Sequence, residues 1–163
     1  MSNYKSKGYF ELDELRSTPG MPSEARQRRG PVACIECAEN IPCNPCEAAC
    51  PHHAIIVGRP ITNLPRLDES KCIGCGLCIP HCSGQAIFVI DKSKDEALIS
   101  MPYEFLPLPR EGDVLSACDR SGKIVAPARV VKCTVSPSFD KTAILKIAVP
   151  MEFGDIVRGV RRK

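Results

Sequence analysis

Eight of the eleven cysteines stand at spacings that suit metal ligation through sulfur. Cys72, Cys75, Cys78 and Cys82 form CIGCGLCIPHC, a CxxCxxCxxxC run. Thiolates at every third residue of a tight loop can wrap three corners of an iron-sulfur cubane, while the fourth cysteine of the run turns away and serves a second cubane. Gly74 and Gly76 allow the backbone to turn, and the N–H groups of such a loop face the anionic sulfides. Cys43, Cys46 and Cys50 repeat the last three positions of the run at an offset of 32 residues. The first position of that copy falls at residue 40, which is Asn. Cys37 or Cys34 therefore supplies the missing ligand across a longer loop. Cys37 requires the shorter insertion, five intervening residues in place of two, and closure entropy rises slowly with loop length. With Cys37 chosen, the expectation is two [4Fe-4S] clusters, one on Cys37, Cys43, Cys46 and Cys82, the other on Cys72, Cys75, Cys78 and Cys50.

The elements that must position these thiols follow from the repeat. CPHHAI at residues 50–55 aligns with CSGQAI at residues 82–87, and apolar, strand-like residues follow both, so one supersecondary unit occurs twice. Three domains are expected: an extended arm over residues 1–30, a dicluster ferredoxin-like domain over 31–94, and a small β domain over 95–163. In the arm, Glu11 to Arg16 suits a turn or two of helix before Pro19, Gly20 and Pro22 stop it. Beyond residue 95, β-type runs at Ala97 to Met101, Asp113 to Ala117, Ile124 to Lys132 and Thr142 to Val149 alternate with Pro, Gly, Ser and Asp. Asp119 to Gly122 reads as a hairpin turn. The fold class is α+β: a ferredoxin-like domain of two pseudo-symmetric repeats followed by a small antiparallel β-barrel-like extension. Met151 to Val160 suits a closing short helix.

Two other uses of the cysteines fit less well. Zinc sites place their CxxC pairs a dozen or more residues apart, whereas this run is compact and duplicated. A secreted disulfide scaffold needs a signal peptide, and residues 1–16 have no apolar core for one. No apolar run is long enough to span a membrane. A cytoplasmic protein is the expectation, and a reducing compartment favours thiolate ligation. With no Trp and 5% aromatic residues, the chain has few bulky core formers. Cluster binding then becomes folding energy, and residues 31–92 are expected to be largely unfolded without iron.

The formal net charge is +3, but eight thiolates around two cores of about +2 each bring the loaded chain to about −1. Two short basic runs remain, Arg26 with Arg28 and Arg29, and Arg158 with Arg161, Arg162 and Lys163. They read as solvated tails or as a rim that steers an acidic partner, not as nucleic-acid contacts. His52, His53 and His81 lie beside ligands and read as exposed spacers. Cys34, Cys118 and Cys133 are left as ordinary thiols. No GxGxxG or GxxxxGK[ST] run is present, so no nucleotide fold is signalled.

The second half of the cysteine-rich segment resembles the bacterial 2[4Fe-4S] ferredoxins. Over nearly the whole chain, PGMPSEARQRRGPVACIECAENIPCNPCEAACP, CIGCGLC and DEALISMPYEFLPLPREGD resemble the small ferredoxin-like subunits of FAD-dependent amino-acid dehydrogenases of the proline and hydroxyproline type, found in anaerobes and archaea. The resemblance implies Cys37 as the ligand and position 34 as dispensable. It also implies a non-catalytic electron-transfer subunit of a flavin-dependent oxidoreductase complex, with a flavoprotein dehydrogenase, and other iron-sulfur subunits, as partners. A free, diffusible ferredoxin-type carrier is the alternative.

Overall fold

The computed structural model describes residues 4–162. Three short helices punctuate the arm: α1 (Tyr4–Lys7), α2 (Leu12–Arg16) and α3 (Glu24–Gln27). Glu11 and Glu14 form a capping box that starts α2, and the Ser23 hydroxyl caps α3 by accepting from the Arg26 N–H at 3.2 Å. The arm lies on the chain's own body, where the N–H groups of Ile35 and Leu67 donate to the carbonyls of Gly20 and Pro19.

Strand β1 (Val32–Ile35) leads into the first cysteine loop, which holds α4 (Pro45–Ala49) and ends at β2 (Ile55–Ile56). Strand β3 (Arg66–Leu67) leads into the second loop, which ends at β4 (Ile87–Asp91). The pairing crosses over between repeats: β1 runs antiparallel to β4, and β2 to β3. Each loop is therefore entered beside the exit of the other.

Strands β5 (Glu96–Tyr103), β6 (Val114–Cys118), β7 (Ile124–Thr134) and β8 (Ala143–Pro150) form where β-type runs are expected. They join β1, β4 and a short last strand, β9 (Gly159–Arg161), in one antiparallel sheet of seven strands, ordered β1-β4-β5-β8-β7-β6-β9. The order is open, with β1 and β9 at its two ends. Period-two burial organises it: Ala97, Ile99, Met101 and Tyr103 of β5 and Ala143, Leu145, Ile147 and Val149 of β8 all face the main core. Asp119–Gly122 forms the expected turn, with the Gly122 N–H donating to the Asp119 carbonyl at 3.0 Å.

The closing helix expected over Met151 to Val160 does not form. A three-residue 3-10 turn (Met151–Phe153) is followed by strand β9 (Gly159–Arg161), which pairs with β6. Packing overrides local propensity here. A Cβ on Gly154 would lie 2.8 Å from Lys92 Cε and 3.0 Å from Ala97 Cβ, Val157 is fully buried in the main core, and the Arg158 N–H donates to the Cys118 carbonyl.

Strands β1 and β4 are buried on both faces. Cys34, Phe88 and Ile90 point into the main core, whereas Ala33, Ile35, Ile87 and Val89 point into a second, smaller core that also contains Ile55, Ile79 and the cysteine loops. This shared wall fixes how the cysteine loops sit against the sheet.

Candidate iron-sulfur centres

The crossed strand pairs bring the thiols together in two rings. Cys37, Cys43, Cys46 and Cys82 line one small cavity, walled by Ile35, Ile41 and Ile87. Cys50, Cys72, Cys75 and Cys78 line another, walled by Ala33, Ile55 and Val89. Each ring takes three thiols from one repeat and one from the other. The Glu36 N–H donates to the Ala86 carbonyl at 2.8 Å and carries Cys82 to the first ring; the Asp68 N–H donates to the Ala54 carbonyl at 2.7 Å and carries Cys50 to the second. None of the eleven cysteines forms a disulfide.

The electrostatics divides the thiols in the same way. Burial, and then Cys82, Cys43 and Cys37 around it, push Cys46 up to about 11. Burial, and then Cys72, Cys75 and Cys50, push Cys78 up to about 12. Four crowded, desolvated thiols resist losing their protons unless a cationic group stands between them, and metal ligation removes those protons outright. Backbone donors are already aimed at the sulfurs: Ala33 N–H at Cys72 Sγ (3.3 Å), Ala54 N–H at Cys50 Sγ (3.3 Å) and Ala86 N–H at Cys82 Sγ (3.4 Å). The last two occupy equivalent positions of the repeat. An all-sulfur donor set, apolar walls and N–H groups facing sulfur fit a [4Fe-4S] cubane. Among the described residues no three His, Cys, Asp or Glu side chains converge as a site for a single metal ion; each ring surrounds a cavity instead.

Cys34 stands apart from both rings. Strand alternation turns it into the main core, where it is fully buried, 3.4 Å from Met21 Sδ, and burial pushes its thiol up to about 11. His52, His53 and His81 are exposed; the His81 ring nitrogen Nδ1 lies 2.8 Å from the Leu77 carbonyl.

Two arginines that read as solvated charges have structural tasks. The Arg26 guanidinium donates to four carbonyls, those of Glu69, Gly30, Pro31 and Cys72, at 2.6–3.1 Å, so it staples the arm to the second ring's loop. Arg158, only 4% exposed, and Arg120 grip the Glu36 carboxylate. Burial alone would raise the Glu36 carboxyl, but hydrogen bonds and charge from Arg120 and Arg158 outweigh it and hold it below the usual carboxylate range. Glu36 immediately precedes Cys37, so residues 120 and 158 anchor the first ring. Their residue type offered no signal in the sequence; only the fold brings them there.

Gly74 shows how tight the second loop is. Its φ is +68°, and a Cβ there would lie 2.5 Å from the Pro31 carbonyl carbon. Gly74→Ala is expected to cost about 1–3 kcal/mol from backbone strain alone and to lower iron retention, measurable as faster iron release to a chelator than in the unaltered protein. Equal release rates would show that the Pro31 contact yields freely.

Residues 65–88 match the family model of the 4Fe-4S binding domain. The chain is 28% identical over 102 residues to an uncharacterized ferredoxin of Methanocaldococcus jannaschii, covering 50% of this chain and 63% of that protein. A component of the Na(+)-translocating ferredoxin:NAD(+) oxidoreductase complex of Acetobacterium woodii is 32% identical over 50 residues, covering 31% of this chain and 14% of the relative. The chain is also 29% identical over 91 residues to the protein Pixie of Drosophila melanogaster, covering 47% of this chain and 15% of that one. The chain thus spans less than two thirds of the length of each. No solved structure matches. The cysteine-rich segment is a ferredoxin-type [4Fe-4S]-binding region suited to electron transport. Among the described residues no helix is long and apolar enough to cross a membrane.

Proposed function

We propose that this chain is the electron-transfer subunit of a flavin-dependent oxidoreductase complex in the cytoplasm, with two [4Fe-4S] clusters relaying single electrons between a flavoprotein dehydrogenase subunit and an acceptor. Cys37, Cys43, Cys46 and Cys82 hold one cluster; Cys72, Cys75, Cys78 and Cys50 hold the other. The observation that carries this reading is the pair of four-thiol rings, each borrowing one cysteine from the opposite repeat. A bound [4Fe-4S] cluster supplies reversible one-electron chemistry. The chain's own residues do the rest. Thiolates fix the position of each group, the Ala33, Ala54 and Ala86 N–H groups favour negative charge beside it, and Ala33, Ile35, Ile55, Ile87 and Val89 keep water from its inner side. The arm and the β-rich part, a barrel-like addition beyond residue 94 in this reading, are surfaces on which a permanent interface is built. Support for the flavoprotein partner comes from the resemblance of residues 19–51 and 95–113 to the dehydrogenase subunits.

A free ferredoxin-type carrier is the second reading, favoured by the match to the Methanocaldococcus ferredoxin over 63% of its length. Oxygen-free purification from the native host separates the two. The subunit reading expects about eight irons per chain and a copurifying flavoprotein; the carrier reading expects the same iron in a flavin-free monomer. Ligand choice has its own test. Cys37→Ala is expected to lose between about one and four irons and one reduced-state EPR signal, while Cys34→Ala keeps both. The reverse pattern, or zinc in place of iron, would overturn the ligand assignment.

A further inference from the structure

A broad groove opens where the turn after β6, strand β9 and the loop following Cys82 meet. Its floor holds Arg120 and Arg158, which share the single carboxylate of Glu36. Arg161, exposed on β9, also lines the groove, and among the described residues its side chain makes no hydrogen bond or ion pair. Asp119 is the other lining carboxylate, and its Oδ1 already accepts from Ser121 N–H, Ser121 Oγ and Lys123 N–H. Three guanidiniums therefore face two carboxylates that are both engaged, and the exposed Lys123 at the turn adds to the positive rim. The other wall is the stretch 84–86, where the Ala86 N–H lies 3.4 Å from Cys82 Sγ.

We propose that this groove is the docking site for an acidic face of a redox partner protein, which exchanges electrons with the first thiol ring through the Cys82 side. The proposal rests on the electron-transfer reading above and adds the place of contact and the charge of the partner. Chain segments near residues 36, 85, 120 and 160 build the groove, so it exists only in the folded protein. An acidic side chain seated on Arg161 shares the groove with Ala86, whose N–H is aimed at the ring thiol of Cys82. One electron then passes between the group held in that ring and the partner's own centre, with no atom transferred. A positive groove accelerates encounter with an acidic surface, and salt weakens the effect.

The test uses the holoprotein, first shown by iron content and reduced-state EPR to carry its centres, so that failure of the cluster reading is seen separately. The reduced protein is oxidised in a stopped-flow cell by ferricyanide, a trianion, and by hexaammineruthenium(III), a trication. At about 0.01 M ionic strength Arg161→Glu is expected to slow ferricyanide about five- to tenfold and to speed the ruthenium complex by a similar factor, both effects falling below about twofold near 1 M salt. Lys71→Glu, an equal charge change at an exposed site beside Cys72, is expected to leave the ratio of the two rates within about twofold. A separate readout needs no electron transfer: binding of fluorescein-labelled hexaglutamate to the oxidised holoprotein, followed by anisotropy, is expected to weaken at least about fivefold in Arg161→Glu. The proposal is overturned if Arg161→Glu leaves either readout unchanged, or if Lys71→Glu shifts the rate ratio as far as Arg161→Glu does.

Discussion

Replacing Glu36 with Ala is expected to destabilise the protein by about 3–5 kcal/mol, because it leaves two guanidiniums, one of them almost wholly buried, without their shared counter-ion. For a chain of this size that corresponds to a melting midpoint lowered by roughly 10 °C, read by near-ultraviolet circular dichroism under anaerobic conditions. Arg158 keeps its carbonyl partners at Gly154 and Val157, but a carbonyl offers only a partial charge. The double variant Glu36→Ala with Arg158→Met is expected to recover part of the loss, since removing both members of a buried pair costs less than stranding one. Arg129→Ala is the comparison. Its partner Glu96 and Arg129 itself are each 51% exposed, and pairs so exposed contribute at most about 1 kcal/mol. A double variant no better than Glu36→Ala alone would mean that Glu36 acts through the loop it starts and not through the ion pairs.

Removing iron is expected to unfold the cysteine loops and to spare the sheet. The main core contains Ile99, Met101, Leu145, Ile147 and Val130, all nearly or fully buried, and each such side chain contributes about 1.5–3 kcal/mol on burial. The smaller core has Ile35, Ile55, Ile79, Ile87 and Val89 as its buried large apolar members, with Leu67 and Ile144 packed partly against it, and six ring thiols make up much of the remainder. Once the metal is gone, nothing apolar fills the two cavities, and the binding energy that closed the loops is lost. Amides at residues 38–53 and 72–85 are then expected to exchange within seconds in hydrogen-deuterium measurements, while β5, β7 and β8 retain protection. This is narrower than the unfolding of residues 31–92 that cysteine spacing alone suggests. Strands β1 and β4 give Cys34, Phe88 and Ile90 to the main core, and the β4–β5 pairing ties them to the sheet. Protection retained across both cysteine loops after complete iron removal would refute the view that the metal closes them.

What could be read from the sequence was whatever depends on neighbours along the chain. CxxCxxCxxxC is a local geometry, because a single loop wraps three corners of a cubane, so its residue types and spacing are visible without a fold. The duplication at an offset of 32 residues, the strands beyond residue 95 and the turn at Asp119 are local in the same sense: period-two alternation and turn chemistry act over a few residues. The tertiary structure alone decided the rest. Loop length favours Cys37 over Cys34 in the sequence, but only the fold shows the reason: a strand buried on both faces sends Cys34 into the main core, while Cys37, beyond its end, lines the cavity with Cys82. Arg26 and Arg158 looked like solvated charges because their partners, the Cys72 carbonyl and the Glu36 carboxylate, lie 46 and 122 residues away. The helix expected near residue 155 gave way to β9 for the same reason. The free energy of burying Val157 and Arg158 and of pairing with β6 depends on chain segments that local sequence does not contain, and it exceeds the few tenths of a kcal/mol per residue that local propensity can offer.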